Sequence, residues 1–175
     1  MALGSNTKGY ETPNHPYQGE RIAEEATLLG RYGLESKEEL WRAQSELRSY
    51  RREARRLIGQ SQGQGEDVSN EANQFLARLQ RLDVLADADE LDDVLELGVT
   101  DVLERRLQTV AYRKGLANSP KQARQFISHG HVAISGQRVT VPSRQVEASE
   151  ESEVEFYETS PLADDLHPER AEGQE

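Results

Sequence analysis

The sequence predicts an α+β protein, a mainly helical N-terminal region followed by two helices and a small antiparallel hairpin. Three features point to it. Apolar residues recur at intervals of three and four through most of the chain as far as Ile127. They then change to alternation at Val132, Ile134, Val139 and Val141, around Ser135-Gly136-Gln137. Finally, Leu103 to Val146 carries eight basic residues against one acid, a balance of +7 that leaves −18 for the remainder of a chain of net charge −11. A cationic island kept in so acidic a chain points to an anionic partner, nucleic acid first.

Residues 1–19 are polar, and Tyr10 to Gln18 (YETPNHPYQ) is rich in proline and turn formers. They read as an extended arm lying on another surface, or as disorder. A helical region is expected over 20–100. Its first helix, Glu20 to Arg31, sets Ile22, Ala26 and Leu29 on one face and ends near Gly33. Ser36 and Glu39 form a capping box that opens the longest helix, 36–58. Leu40, Ala43, Leu47, Tyr50, Ala54 and Leu57 make its apolar seam. Beside the seam run Arg48, Arg51, Arg52, Arg55 and Arg56, with only Glu46 and Glu53 to balance them. Like charges at this spacing repel on an isolated helix, so these five arginines are candidate contacts to RNA backbone. The single Trp41 sits near the seam and reads as core. Residues 59–65 (GQSQGQG) form a linker by composition. A helix is expected over Ser69 to Leu82, and a shorter acidic one from Glu90 to a stop at Gly98. The acids Asp87 to Asp93 lack the spacing of a calcium loop and read as a solvated face.

The island, 101–158, follows. Thr100 and Asp101 are expected to start a helix that runs to Gly115, with Leu103, Leu107, Val110 and Ala111 inward and Arg105, Arg106 and Arg113 together on another side. A second helix is bracketed by Ser119 as N-cap, Pro120 in the first turn, Gln122 completing a capping box, and Gly130 at the end. Ala123, Phe126 and Ile127 face a core, while Lys121, Arg124 and Ser128 share an exposed flank. The hairpin ends at Pro142, and Val154 with Phe156 is a candidate third strand. Residues 159–175 read as an acidic mobile tail; Glu147 to Glu175 hold eleven acids and one arginine, Arg170.

At 175 residues with 35 % hydrophobic and 30 % charged, the chain makes one domain or two small ones with a modest core. No apolar run reaches the length of a membrane span and no signal peptide precedes the polar start, so a cytoplasmic protein with no membrane partner is expected. The absence of cysteine excludes disulfides, thiolate metal sites and cysteine nucleophiles. Arginine outnumbers lysine 17 to 4 in a chain with 32 acids. That balance fits a cytoplasm of very high salt, where the Debye length falls to about 3 Å at 1 M and an arginine fork adds bidentate geometry to its charge.

The run Ser119-Pro120-x-x-Ala123-Arg124-x-x-Ile127-x-His129-Gly130-His131-Val132-x-Ile134-x-Gly136-x-Arg138-Val139-x-x-Pro142-Ser143 resembles the RNA-binding domain named after protein four of the small ribosomal subunit. The resemblance implies an α-L fold, two helices packed on a small antiparallel sheet, that grips folded RNA with its helices and the loop between them. Tyr10-Glu11-Thr12-Pro13, Glu20-Arg21, Tyr32-Gly33-Leu34, Leu40-Trp41-Arg42 and Arg51-Arg52-x-Ala54-Arg55 extend it to the archaeal form of that ribosomal protein family. The chain departs from the family in having only Lys8 at the extreme N-terminus, where relatives are strongly basic. Nor can it hold the zinc found in some bacterial members. What the family implies is a structural protein of the small subunit that binds its rRNA early, near the 5′ domain, and nucleates assembly. It also implies neighbouring small-subunit proteins as partners, mRNA at the entry channel, and a part in translational accuracy.

The candidate RNA contacts are therefore Arg48, Arg51, Arg52, Arg55, Arg56, Arg105, Arg106, Arg113, Lys114, Ser119, Lys121, Arg124, Ser128, His129, His131, Arg138 and Arg144. His129 and His131 lack a third ligand for a metal and read as hydrogen-bond donors to phosphate or as a helix cap. No nucleophile–base constellation or nucleotide loop is visible, so neither catalysis nor a cofactor is expected, and nothing suggests a homo-oligomer. Two other readings use the same domain, an enzyme appended to it and a stress factor of the large subunit. The enzyme needs a large catalytic domain, whereas about 100 helical, acid-rich residues precede the domain here.

Overall fold

The computed structural model describes residues 8–61, 66–164 and 167–169. Residues 1–7 of the arm, 62–65 of the expected linker, and 165–166 and 170–175 of the tail, Arg170 included, lie outside the described residues. The helices are α1 (Gly19–Tyr32), α2 (Lys37–Ser61), α3 (Glu66–Arg81), α4 (Val99–Glu104), α5 (Leu107–Arg113), α6 (Pro120–Ser128) and α7 (Ala148–Glu151). The strands are β1 (Val132–Ile134), β2 (Gln137–Arg138) and β3 (Val154–Phe156), in the antiparallel order β2-β1-β3.

α2 is the spine. At 25 residues it is about 37 Å long, and its seam of Leu40, Ala43, Leu47, Tyr50, Ala54 and Leu57 is buried throughout. Against it pack Phe75 and Leu79 of α3, Leu85, Val94, and Val102 and Leu103 of α4, one continuous core. α1 contributes differently from the expected face: Ala26 is exposed, and its buried residues are Glu25 and Tyr32. Glu25 accepts from Trp41 Nε1 at 3.1 Å, and Lys37 Nζ lies 3.3 Å from it. Burial pushes this carboxyl up, but the bonds from Trp41, Arg21 and Lys37 outweigh that and hold it below the ordinary value. Part of the α1–α2 contact is thus an ion cluster closed by Trp41. The arm lies on α2, where Tyr10 is buried beside Trp41 and Glu11 N–H donates to Ser45 Oγ at 3.0 Å.

A second core gathers Leu107, Val110, Ala111, Ala123, Phe126, Ile127, Val132, Ile134, Val146, Val154, Phe156 and Leu162. Here α5 and α6 pack together beside the sheet. The hairpin turn has two central residues, Ser135 (φ 52°) and Gly136 (φ 74°). Positive φ at both is the type I′ pattern, whose twist matches paired strands. β2 is shorter than the alternation suggests: the last bond to β1 is from Val139 N–H to Val132 O, and Val141 is exposed.

Three helix expectations are corrected. α2 continues through Gly59 to Ser61, into the expected linker. The acidic helix from Glu90 is only a 3₁₀ turn, Asp93–Leu95, because Asp89 and Asp93 bond the backbone N–H of Ala86 and Glu90 and so favour turns. Most consequentially, the helix expected from Thr100 to Gly115 breaks at Arg105–Arg106, and its N-cap is Gly98. The segment after the hairpin causes the break. Leu107 and Gln108 N–H donate to the carbonyls of Arg144 (2.7 Å) and Pro142 (3.1 Å), and Val146 N–H donates to Arg105 O (2.9 Å). A distant strand-like segment thereby satisfies the orphan donors of a new helix start.

Candidate nucleic-acid interface

On α2, Arg48, Arg52 and Arg55 stand at i, i+4 and i+7, within about 60° of arc. All three are exposed. Arg48 is 3.4 Å from Glu11 of the arm. Among the described residues no acid lies within ion-pair distance of Arg52 or Arg55. Arg56 is tied to Glu53 (2.6 Å) and to Glu71 of α3. Arg51 turns the other way, half-buried, and its guanidinium donates to Leu97 O, fixing the acidic segment to α2.

Next to this stripe lies an open groove of about 890 Å³ where Arg42, Ser45, Ser49 and Tyr50 of α2 and Arg78 and Arg81 of α3 share the lining with the acids Glu46 and Glu147. Reading α3 only for its apolar stripe misses Arg78 and Arg81. Their i, i+3 spacing in the last turn was the available signal. Arg42 lies over the Tyr10 ring and Arg78 over Tyr50, at 5.6 and 5.8 Å. Among the described residues neither guanidinium lies within ion-pair distance of an acid, so both are held at the groove chiefly over a ring.

The second module divides its candidates in two. Lys121, Ser128, His129 and Arg138 are exposed. Arg138 lies 5.9 Å over Tyr157 and packs across Gly130, where a Cβ would meet its Cδ at 2.9 Å. His131 is half-buried, its Nδ1 2.9 Å from Ser160 Oγ. Burial, with His129 and His167 nearby, pushes its pKa down. Ser119 caps α6, accepting from Gln122 N–H at 3.1 Å.

The other candidates are paired with groups of the protein itself, although Arg113 and Lys114 stay exposed. Arg105 and Arg106 are not on an exposed side; they are 7 % and 6 % exposed. Arg105 pairs with Asp83 (3.0 Å) and Glu151 (2.9 Å), and Arg106 with Glu39. The break between α4 and α5 turns both inward, which helical spacing cannot reveal. Arg124 is likewise off the exposed flank, holding Glu39 at 2.7 Å and Glu35 at 3.1 Å. Glu39, expected to serve a capping box, accepts weakly from Glu35 N–H (3.3 Å) and chiefly receives these arginines. Arg113 pairs with Glu104 (3.0 Å) and Arg144 with Glu150 (2.6 Å). Lys114 Nζ donates to the carbonyls of Glu151, Ser152 and Val154 at 2.7–3.0 Å.

Among the described residues no cluster of three metal-ligating side chains occurs, and no helix is long and apolar enough to cross a membrane. Two helices beside a three-stranded sheet, with an exposed cationic flank, define the class as a candidate RNA-binding module joined to a helical region with its own arginine stripe. Residues 105–152 match the family model of the S4 domain. Over the whole length the chain is similar to small ribosomal subunit protein uS4 of Natronomonas pharaonis, 72 % identical over 174 residues that cover 99 % of this chain and 100 % of the relative. The uS4 protein of Haloarcula marismortui is 68 % identical over the full length of both, and that of Methanococcus aeolicus 48 % identical over 95 % of this chain and 93 % of its own. The chain belongs to the uS4 family of small-subunit ribosomal proteins, a family of ribosomal proteins and not of enzymes. The arginine-rich, acidic composition matches its similarity to the proteins of halophilic archaea.

Proposed function

We propose that this protein is a structural component of the small ribosomal subunit that grips folded small-subunit rRNA between two cationic faces. One is the α2 stripe of Arg48, Arg52 and Arg55 with the adjoining Arg42, Arg78 and Arg81 groove. The other is Lys121, Ser128, His129 and Arg138 on the α-L domain, read as residues 101–158. The observation that carries the reading is the stripe itself: in a chain of −11, Arg52 and Arg55 stand exposed with no acid within ion-pair distance among the described residues. Such contacts read backbone shape more than base sequence. The relatives' names support the subunit, and with it a cytoplasmic, ribosome-bound location as a single copy beside other small-subunit proteins. Early binding at the rRNA 5′ domain, assembly nucleation, contact with entering mRNA and a part in accuracy belong to the same proposal.

The test is binding of Arg52→Glu/Arg55→Glu protein to the 5′ part of small-subunit rRNA across a KCl series. Affinity is expected to fall more than tenfold, and the slope of log affinity on log salt by about two contacts' worth, roughly 1.4–1.8. Unchanged affinity and slope would overturn the α2 face.

A further inference from the structure

Arg106 and Arg124 lie in the cationic island, yet both point at one carboxylate of the other half of the molecule. Glu39 Oε1 accepts from Arg124 Nη2 at 2.7 Å, and Oε2 from Arg124 Nη1 at 3.1 Å and from Arg106. Arg124 Nη1 also donates to Gln108 Oε1 at 3.2 Å. Gln108, 1 % exposed, turns its Nε2 onto the carbonyls of Gly33 (2.9 Å), Tyr32 (3.2 Å) and Pro120 (2.8 Å). At Gly33, φ is +60°, and a Cβ would meet Pro120 Cβ at 2.8 Å and Lys121 N at 2.9 Å. The turn between α1 and α2 is therefore pressed against the start of α6 and fixed there by a bidentate ion pair and a branched amide. Such geometry specifies one orientation better than an apolar contact does, since every partner has a direction.

We propose that Glu39 and Gln108 are positioning residues that fix the angle between the two cationic faces, so that the free protein already holds them as a folded RNA needs them. The proposal rests on the two-face reading of the preceding section. Its consequence is selectivity. A folded RNA that must engage both faces gains from the preset angle, because ordering cost is removed before binding. A flexible single strand, which bends to meet either face, gains nothing from it.

The test uses the full chain with Glu39→Gln and, separately, Gly33→Ala, which disturbs the same joint without altering charge. Because the chain has no cysteine, spin labels at Ala77→Cys on α3 and Glu155→Cys on β3, both exposed, report the angle in the free protein. Each variant is expected to broaden the distance distribution and to lose about tenfold in affinity for the folded 5′ part of small-subunit rRNA. For Gly33→Ala, binding to poly(U) and the salt slope on rRNA should match the parent, since neither charge nor a phosphate contact changes. If one variant loses its helical circular dichroism, the other carries the test. A parental distance distribution, or equal losses on rRNA and poly(U), would overturn the proposal. If the unsubstituted protein fails to bind the rRNA, the two-face reading fails instead, and the distance measurement still decides whether the joint sets the angle.

Discussion

Arg52 and Arg106 have the same side chain, and both stand among clustered arginines, yet they do opposite things. Arg52 is exposed on α2, whereas Arg106 is buried against Glu39. Burying a guanidinium is tolerable only with a carboxylate beside it, and removing that partner costs far more than the pair contributes. Gln108 illustrates the same rule for a neutral group. Gln108→Ala strips the buried carbonyls of Tyr32 and Gly33 of their donor and is expected to destabilise the fold by about 1–3 kcal/mol. The exposed Ser128→Ala should stay within about 0.5 kcal/mol. Urea titration of both checks the ordering, and equal midpoints would mean that Gln108 is not a structural link.

Local signals placed the elements whose ends are closed by local bonds. Ser119 before Pro120 opens α6, Gly33 in the left-handed region closes α1, and Gly136 makes the hairpin turn possible. Because Ser119 Oγ bonds Gln122 N–H, Ser119→Ala should cost about 1 kcal/mol, read as a lowered melting temperature. An unchanged melt would show that α6 is held by packing alone. Elements closed from a distance were not legible in the same way. The break between α4 and α5 depends on carbonyls of Pro142 and Arg144, some 35 residues later in the chain. The apolar spacing of 101–115 continues straight through the break, so periodicity reads one helix where the structure has two.

Across the whole molecule, the half-buried carboxylates of Glu39 and Glu104 tie the halves together, and with the buried Glu25 they make the fold acid-sensitive. Burial pushes Glu25, Glu39 and Glu104 up, but hydrogen bonds outweigh it and leave all three below the ordinary value. Glu104 is bonded by Arg113 and by Tyr32, whose own hydroxyl is raised to about 12 by burial and by that carboxylate. A carboxyl lowered on folding contributes stability that is fully present above its unfolded value, about 4.3, and lost as pH falls through the folded one. The melting temperature should therefore begin to decline below about pH 6.5, where the unfolded chain protonates His131 before the folded one does, and drop more steeply below about pH 5 as the carboxylates protonate. Glu39→Gln should drop less steeply than the parent; identical acid limbs would remove Glu39 from the linkage.

The amino-acid sequence by itself determined the α+β class, the seam of α2, the ends of α1 and α6, the hairpin and the cationic island, because each is written in neighbours a few residues apart. It also placed Arg48, Arg51, Arg52, Arg55 and Arg56 together beside that seam, without separating the three that stay on the exposed stripe from Arg51 and Arg56. Which arginines face solvent was decided only by the tertiary structure. Arg105, Arg106 and Arg124 find their carboxylates 22 to 89 residues away, and the groove of Arg42, Arg78 and Arg81 needs two helices side by side. Charge is a property of the residue, but exposure of that charge is a property of the packed chain.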